Sequence, residues 1–383
     1  MSTTAPRGFR AAGVAAGLKS TGAHDLALVV NDGPDDTAAA VFTTNRFPAA
    51  PVQWSRQVLS GGRVRAVVLN SGGANACTGP EGFGDTHATA EHAAKELDLG
   101  AIDVAVCSTG LIGVRLPMDR LTAGVTAAVA VLSEDGGPDA ARAIMTTDSV
   151  PKTTVVERDG WTVGGMAKGA GMLAPSLATM LVVLTTDAQV PADVLQAALK
   201  QATAVSFERV DSDGCLSTND TVLVLANGAG GVTPSAAEVV EALTAACTDL
   251  AMQLLADAEG STKDIAITVR GAASVTDALT AGRACARNNL LKTALFGNDP
   301  NWGRVLAAIG TTDAAFAPDR VDVTINGVTV CRGGAIGDPR EGVDLTGRAI
   351  SIDVDLGAGS EQATIWTNDL SIAYVHENSA YST

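Results

Sequence analysis

The sequence predicts an α/β protein of layered sheets and helices, with antiparallel strands among them. Three observations carry that expectation. Short apolar runs recur, and several alternate with period two, as in Val321-Asp322-Val323-Thr324-Ile325 and Ile350-Ser351-Ile352-Asp353-Val354-Asp355. Such alternation marks strands with one buried face. Longer helical patterns lie between the runs, and Asn326-Gly327 separates two runs with a dipeptide that favours a two-residue hairpin. A chain of 383 residues is long enough for two domains or one large two-lobed unit.

Taken in order, the short apolar runs over 26–30, 39–42, 64–69 and 104–107 read as strands. A helix follows over 86–97, Ala-rich with charged positions. Another is expected over 117–132, where Pro117 suits the first turn and Asp119 follows it. The Gly/Pro/Asp cluster over 133–138 reads as a loop. A strand over 180–184 precedes a helix over 191–203 that starts Pro-Ala-Asp. The run 221–225 is a strand, 235–255 the longest helix, 265–269 a strand and 275–288 a further helix. Four strands close the chain, over 321–325, 328–331, 350–356 and 363–366. With a hairpin among them, a purely parallel sheet is disfavoured.

Composition narrows the function classes. Acidic residues outnumber basic ones 42 to 26, a formal charge of −16, which argues against nucleic acid or an anionic membrane surface as partner. No apolar run reaches the ~20 residues of a membrane span, and the first ten residues carry no secretory apolar stretch. Aromatics make up 3% of the chain and hydrophobics 46%, alongside 41 glycines. The core must therefore come from Ala, Val, Leu and Ile, with many close backbone approaches. The six cysteines, at 77, 107, 215, 247, 285 and 331, form no C-x-x-C pair. They read as reduced thiols of a cytoplasmic protein, Cys77 and Cys107 among them as packing residues. No spacing of Asp, Glu or His suggests a metal.

The most informative stretch runs from Val163 to Leu184: a glycine-rich loop bearing Lys168, then Gly171-Met172-Leu173-Ala174-Pro175-Ser176-Leu177-Ala178-Thr179, then a buried strand. No Gly-Lys-Ser/Thr triplet closes the loop, so it is not a phosphate-binding P-loop, and the dinucleotide G-x-G-x-x-G spacing is absent. A threonine opening a strand suits an N-terminal nucleophile. Its hydroxyl can attack the Ala178 carbonyl, and the freed α-amine, with a reference pKa of roughly 7.7–8.0, can act as base for that hydroxyl. The residues alone leave this open against an ordinary threonine in a strand.

Gly171-Met172-Leu173-Ala174-Pro175-Ser176-Leu177-Ala178-Thr179-Met180-Leu181 resembles the self-cleavage signature of the ornithine acetyltransferases, also called glutamate N-acetyltransferases or arginine biosynthesis bifunctional proteins. Further fragments resemble the same family in order along nearly the whole chain. They are Pro6–Lys19, Asn70–Gly79, Ser108–Gly113, Ile144–Lys152, Asp257–Gly260, Gly297–Arg304 and the ending Glu377–Thr383. Gly73 stands where that family commonly has Asn, Ala174-Pro175-Ser176-Leu177 where many relatives have His-Pro-Asn-Met, and Trp366–Ser371 replaces a frequent Tyr-Gly-Cys-Asp-Leu-Thr.

The resemblance implies the ornithine acetyltransferase/DmpA-like fold, two layered lobes with the active site between them. It implies self-cleavage at Ala178-Thr179 into an alpha segment, 1–178, and a beta segment, 179–383, that share the site and assemble as a heterotetramer of two each. Thr179 would take acetyl from N2-acetyl-L-ornithine and pass it to L-glutamate by a ping-pong route. Thr109 and the N–H of Gly110 would form the oxyanion hole. Thr146, Lys168, Glu259, Asn378 and Thr383 would contact substrate, with Thr147 competing for the role of Thr146. Lysine and glutamate suit this task, since the substrates share an α-carboxylate and ornithine carries a distal ammonium. No bound cofactor is implied, and acetyl-CoA remains open as a second donor. Two other readings stay in view: an N-terminal-nucleophile amidohydrolase or aminopeptidase of related fold, in which water attacks the acyl-enzyme, and a non-catalytic binding protein.

Overall fold

The runs Leu26–Asn31 and Leu181–Thr186 are buried at every position, so each needs cover on both faces. The computed structural model, which describes residues 2–174 and 180–380, supplies that cover by stacking two sheets between helices. The first sheet contains β1 (Phe9–Val14), β2 (Leu26–Asn31), β4 (Ala66–Asn70) and β5 (Val104–Ser108), adjacent in that order. The second has the spatial order β3 (Thr37–Phe42), β9 (Thr221–Ala226), β8 (Leu181–Thr186), β7 (Trp161–Lys168), β6 (Lys152–Arg158). Alternate residues of the second sheet divide between two cores. Met166, Leu181, Val183, Leu223 and Leu225 join the apolar cluster of the first sheet. Ala167, Val182, Leu184, Val222 and Val224 pack with helix residues on the other side, as the two-residue period of a strand requires.

Helices α2 (Gly79–Leu97), α3 (Met118–Ala130) and α4 (Gly137–Ala143) lie against the first sheet, and α1 (Ala50–Val58) packs on β5. Helices α5 (Ala192–Val205) and α6 (Ala236–Ala256) cover the second. Ser235 opens α6 with a capping box to Glu238. By length and composition α6 could cross a membrane, but here Leu243, Ala246, Leu250 and Leu254 are buried against the second sheet's core.

The second lobe is a six-stranded sheet ordered β13 (Ala335–Ile336), β12 (Val328–Arg332), β11 (Asp322–Ile325), β14 (Ala349–Asp355), β10 (Asp264–Ala272), β15 (Glu361–Asn368). Helices α7 (Val275–Ala286), α8 (Asn289–Phe296) and α9 (Trp302–Ile309) share its core, and α10 (Ile372–Ala380) follows β15. The expected alternation holds: Ile350, Ile352 and Val354 are in this core while Ser351 is exposed. The hairpin holds too, with Asn326 at φ 44° and Gly327 at φ 84° joining β11 to β12, the two positive angles a type I′ turn needs.

Three expectations are corrected. The cluster over 133–138 is not all loop, because α4 begins at Gly137 with Pro138 in its first turn. Gly136 brings the chain so close to β1 that a Cβ there would sit 1.8 Å from the Ala11 carbonyl. The glycine-rich stretch before the cleavage motif is strand β7 as far as Lys168. Its glycines admit close neighbours, since a Cβ on Gly164 would lie 2.2 Å from the Ser2 carbonyl oxygen. Cys77 is exposed rather than packed, whereas Cys107 is buried.

Candidate active site

Strand β5 ends at Ser108, and the chain turns there through Thr109 and Gly110. The turn is pinned on both sides: the Thr109 N–H donates to the Asn70 carbonyl (3.0 Å) and the Gly73 N–H donates to the Thr109 carbonyl (3.0 Å). Gly110 has φ 130°, and a Cβ there would lie 2.8 Å from the Gly73 nitrogen. Gly110 is therefore needed for this approach, whereas a side chain at Gly73 would press only on the end of the Leu116 side chain, at 3.0 Å.

Lys168, the last residue of β7, is buried, and its ammonium donates to the Thr109 hydroxyl across 3.2 Å. Burial lowers its pKa, opposed by the nearby Asp148 carboxylate. Asp148 in turn organises the backbone on either side. Its oxygens accept from the Gly169 N–H (2.7 Å), the Thr146 N–H (2.9 Å) and the Lys152 ammonium (2.6 Å), and Lys152 also donates to Asp257 (2.6 Å). Burial alone would raise the pKa of Asp148, but Lys168 and Lys152 hold it at about 2.

Glu259 lies just beyond α6, its N–H bonded to the Ala170 carbonyl (2.9 Å). Its carboxylate accepts from the Asn378 amide (3.0 Å), which α10 brings back over the site. Two glycines permit this: a Cβ on Gly171 would meet the Glu259 carboxylate at 2.7 Å, and one on Gly260 would meet the Tyr374 nitrogen at 2.2 Å.

Thr109, Gly110, Thr146, Thr147, Lys168, Glu259 and Asn378 all line one cleft at the junction of the lobes. Thr146 and Thr147 both reach it, so the pair is not separated. A larger cleft of about 650 Å3, around Arg46, Phe47, Cys77 and Phe83, holds none of the expected site residues. Ala178, Thr179 and Thr383 lie outside the described residues. Met180, next after Thr179, donates its N–H to Asp220 (3.3 Å).

Sequence reasoning passed over Ser217, Thr218, Asn219 and Asp220. The first three line the cleft and all four are buried. Their signal was available, since four consecutive small polar residues abut the fully buried strand β9, and buried polar groups need partners.

The fold thus brings a threonine-glycine turn, a buried lysine and a carboxylate into one cleft, an arrangement suited to an acyl-transfer enzyme. Comparison with known proteins names the family: the ArgJ family matches residues 10–383. An arginine biosynthesis bifunctional protein ArgJ of Streptomyces avermitilis is 66% identical over 382 residues, covering 100% of both chains. That of Thermobifida fusca is 63% identical over 383 residues, again covering 100% of both. A crystal structure of ornithine acetyltransferase complexed with ornithine, from Mycobacterium tuberculosis, is 62% identical, with coverage of 47% of this chain and 96% of that one and a TM-score of 0.45. The chain belongs to the ArgJ family and is an acetyltransferase of arginine biosynthesis.

Proposed function

We propose that the enzyme transfers acetyl from N2-acetyl-L-ornithine to L-glutamate through an acetyl ester on Thr179, with acetyl-CoA as a second donor. The observation that carries this reading is the meeting of Thr109, Gly110, Lys168 and Glu259 in one cleft. A substrate with a carboxylate at one end and an ammonium at the other calls for both signs of charge, and a developing oxyanion calls for donors beside them.

The precursor first cuts itself. The Thr179 hydroxyl adds to the Ala178 carbonyl, the C–N bond breaks, and an ester replaces the amide. Water hydrolyses that ester, leaving a carboxylate on Ala178 and a free α-amine on Thr179. In turnover that amine takes the Thr179 hydroxyl proton as the oxygen attacks the acetyl carbonyl, and gives it to the departing ornithine amine. The glutamate α-amine then attacks the acetyl ester, and Thr179 regains its proton. The Thr109 hydroxyl and the Gly110 N–H stabilise each oxyanion, Lys168 pairs with the α-carboxylate, Glu259 pairs with the distal ammonium, and Thr146, Asn378 and Thr383 complete the contacts. No resident cofactor takes part.

The two segments stay joined, because the second sheet is woven from both. Strands β8 and β9 of the later segment lie between β3 and β7 of the earlier one, and β7 pairs with β8 from Val163–Thr186 to Lys168–Leu181. Two such units form the heterotetramer, and reduced, scattered thiols fit a cytoplasmic setting.

The test is a denaturing gel together with a transfer assay. Cleavage yields bands near ~18 and ~20 kDa, from a chain of 38.5 kDa, and Thr179→Ala leaves one whole band. Labelled glutamate with N2-acetyl-L-ornithine yields labelled N-acetylglutamate. Free acetate without that product would assign the protein to the hydrolases instead, and a parallel assay with acetyl-CoA decides on the second donor.

A further inference from the structure

Two adjacent side chains just before β9 reach in two directions. The Asn219 amide donates to the Ala74 carbonyl (2.6 Å) and the Ser108 carbonyl (2.8 Å), the backbone that carries the Thr109–Gly110 turn. An Asp220 carboxyl oxygen accepts the N–H of Met180 (3.3 Å), the first amide after Thr179. The backbone reinforces this link, since the Thr221 N–H donates to the Met180 carbonyl (3.1 Å).

We propose that Asn219 and Asp220 are positioning residues that set the nucleophile's strand against the oxyanion-hole turn, in chain cleavage and in acetyl transfer alike. The inference rests on the reading of Thr179 as nucleophile. Both side chains are almost wholly buried, where a polar group is costly unless its bonds are made. The Asn219 amide makes two, whereas the second Asp220 oxygen has no partner among the described residues, so that carboxyl is kept there at a cost. Plain packing before an apolar strand calls for no carboxyl there. A carboxyl that accepts the Met180 N–H, beside an amide that grips Ala74 and Ser108, fixes how far the attacking oxygen lies from Thr109 and Gly110. Burial pushes the pKa of Asp220 well above the usual carboxylate range, while the Met180 N–H, the Ser217 hydroxyl and the Lys168 ammonium pull it back. Asparagine offers the same carbonyl oxygen without charge, so it can serve in place of Asp220.

The test compares full-length wild type, Thr179→Ala, Asn219→Ala, Asp220→Ala and Asp220→Asn. The readouts are the rate of appearance of the two bands, kcat and KM per cleaved chain for N2-acetyl-L-ornithine and glutamate, and the melting transition. Misplacing reacting groups by about 1 Å costs about 10²-fold in rate. Asn219→Ala and Asp220→Ala are therefore expected to slow cleavage and lower kcat by about that factor, with KM within about threefold of wild type. Asp220→Asn restores both rates to within about threefold. Wild-type kcat in Asn219→Ala or Asp220→Ala, a loss confined to KM, or Asp220→Asn as slow as Asp220→Ala would overturn the proposal. If Asp220→Ala lacks a cooperative melt, Asn219→Ala and Asp220→Asn decide it. A Thr179→Ala chain that still divides sinks the nucleophile reading itself, an outcome the Asp220 variants cannot mimic.

Discussion

The ammonium of Lys168 and the hydroxyl of Thr109 meet at 3.2 Å, joining the end of a strand in the second sheet to a turn on the first. In the proposed mechanism Thr109 thereby faces two tasks, donating to an oxyanion and holding the lysine assigned to the substrate carboxylate. Thr109→Ala is expected to lower kcat by about 10²–10³-fold, the cost of an oxyanion-hole donor, and Thr109→Ser to recover most of it. Lys168→Met raises KM for donor and acceptor together, because both carry the α-carboxylate. Steady-state kinetics with each substrate varied separates the two effects.

Gly110→Ala introduces a Cβ 2.8 Å from the Gly73 nitrogen at a residue with φ 130°. The strain of such a conformation is about 1–3 kcal/mol, and relieving it would move the N–H that the proposed mechanism assigns to the oxyanion. The expected result is a lower kcat with KM nearly unchanged, together with a lower melting temperature.

Gly260→Ala acts at a distance. Its Cβ would press on the Tyr374 nitrogen at 2.2 Å, lifting α10 and drawing Asn378 from the Glu259 carboxylate. KM for N2-acetyl-L-ornithine is expected to rise more than kcat falls. A variant that keeps wild-type KM would show that α10 does not set the position of Glu259.

Lys152 is buried between Asp148 and Asp257 at 2.6 Å from each. Lys152→Met removes the ammonium bonded to both carboxylates, leaving Asp148 its backbone N–H bonds and Asp257 its bonds from Ser149. It is expected to cost about 3 kcal/mol of stability, the lower end of the penalty for breaking a buried ion pair from one side. Denaturant titration measures it.

The pKa of Asp148 is lowered from 3.8 to about 2 on folding. A group with a depressed folded pKa contributes stability that is full above its unfolded value and is lost as pH falls through the folded one. At 1.36 kcal/mol per unit this amounts to about 2 kcal/mol, lost between about pH 4 and pH 2. Denaturant midpoints across that range fall more steeply in wild type than in Asp148→Asn, and equal slopes would remove Asp148 as the cause.

Elements covered on one face were the easiest to read from the chain. β14 shows its alternation because solvent lies on the other side, and Asn326-Gly327 announces the hairpin because few residues tolerate two positive φ angles. β7 was hidden. Gly164 and Gly165 look like loop residues until the Ser2 carbonyl is seen beside one and Leu184 beside the other. α4 was hidden for a similar reason, since Gly136 and Gly137 serve a close approach to neighbouring chain rather than a turn alone. In α2, the helix begins at Gly79, seven residues before the Ala-rich stretch that signals it, because packing overrides weak local propensity.

The sequence by itself determined the family, through motifs ordered along nearly the whole chain, and with it the residue types expected at the site: a threonine, a threonine-glycine turn, a lysine and a glutamate. It could not determine which polar groups meet. Lys168 touches Thr109 across 59 positions, Glu259 touches Asn378 across 119, and Asn219 reaches Ala74 across 145. These contacts depend on two sheets stacking and on glycines that let backbones approach. Sequence spacing encodes a face of a strand or helix. Only the packed sheets decide which faces meet, and so which buried lysine finds a hydroxyl and which carboxyl takes the Met180 amide.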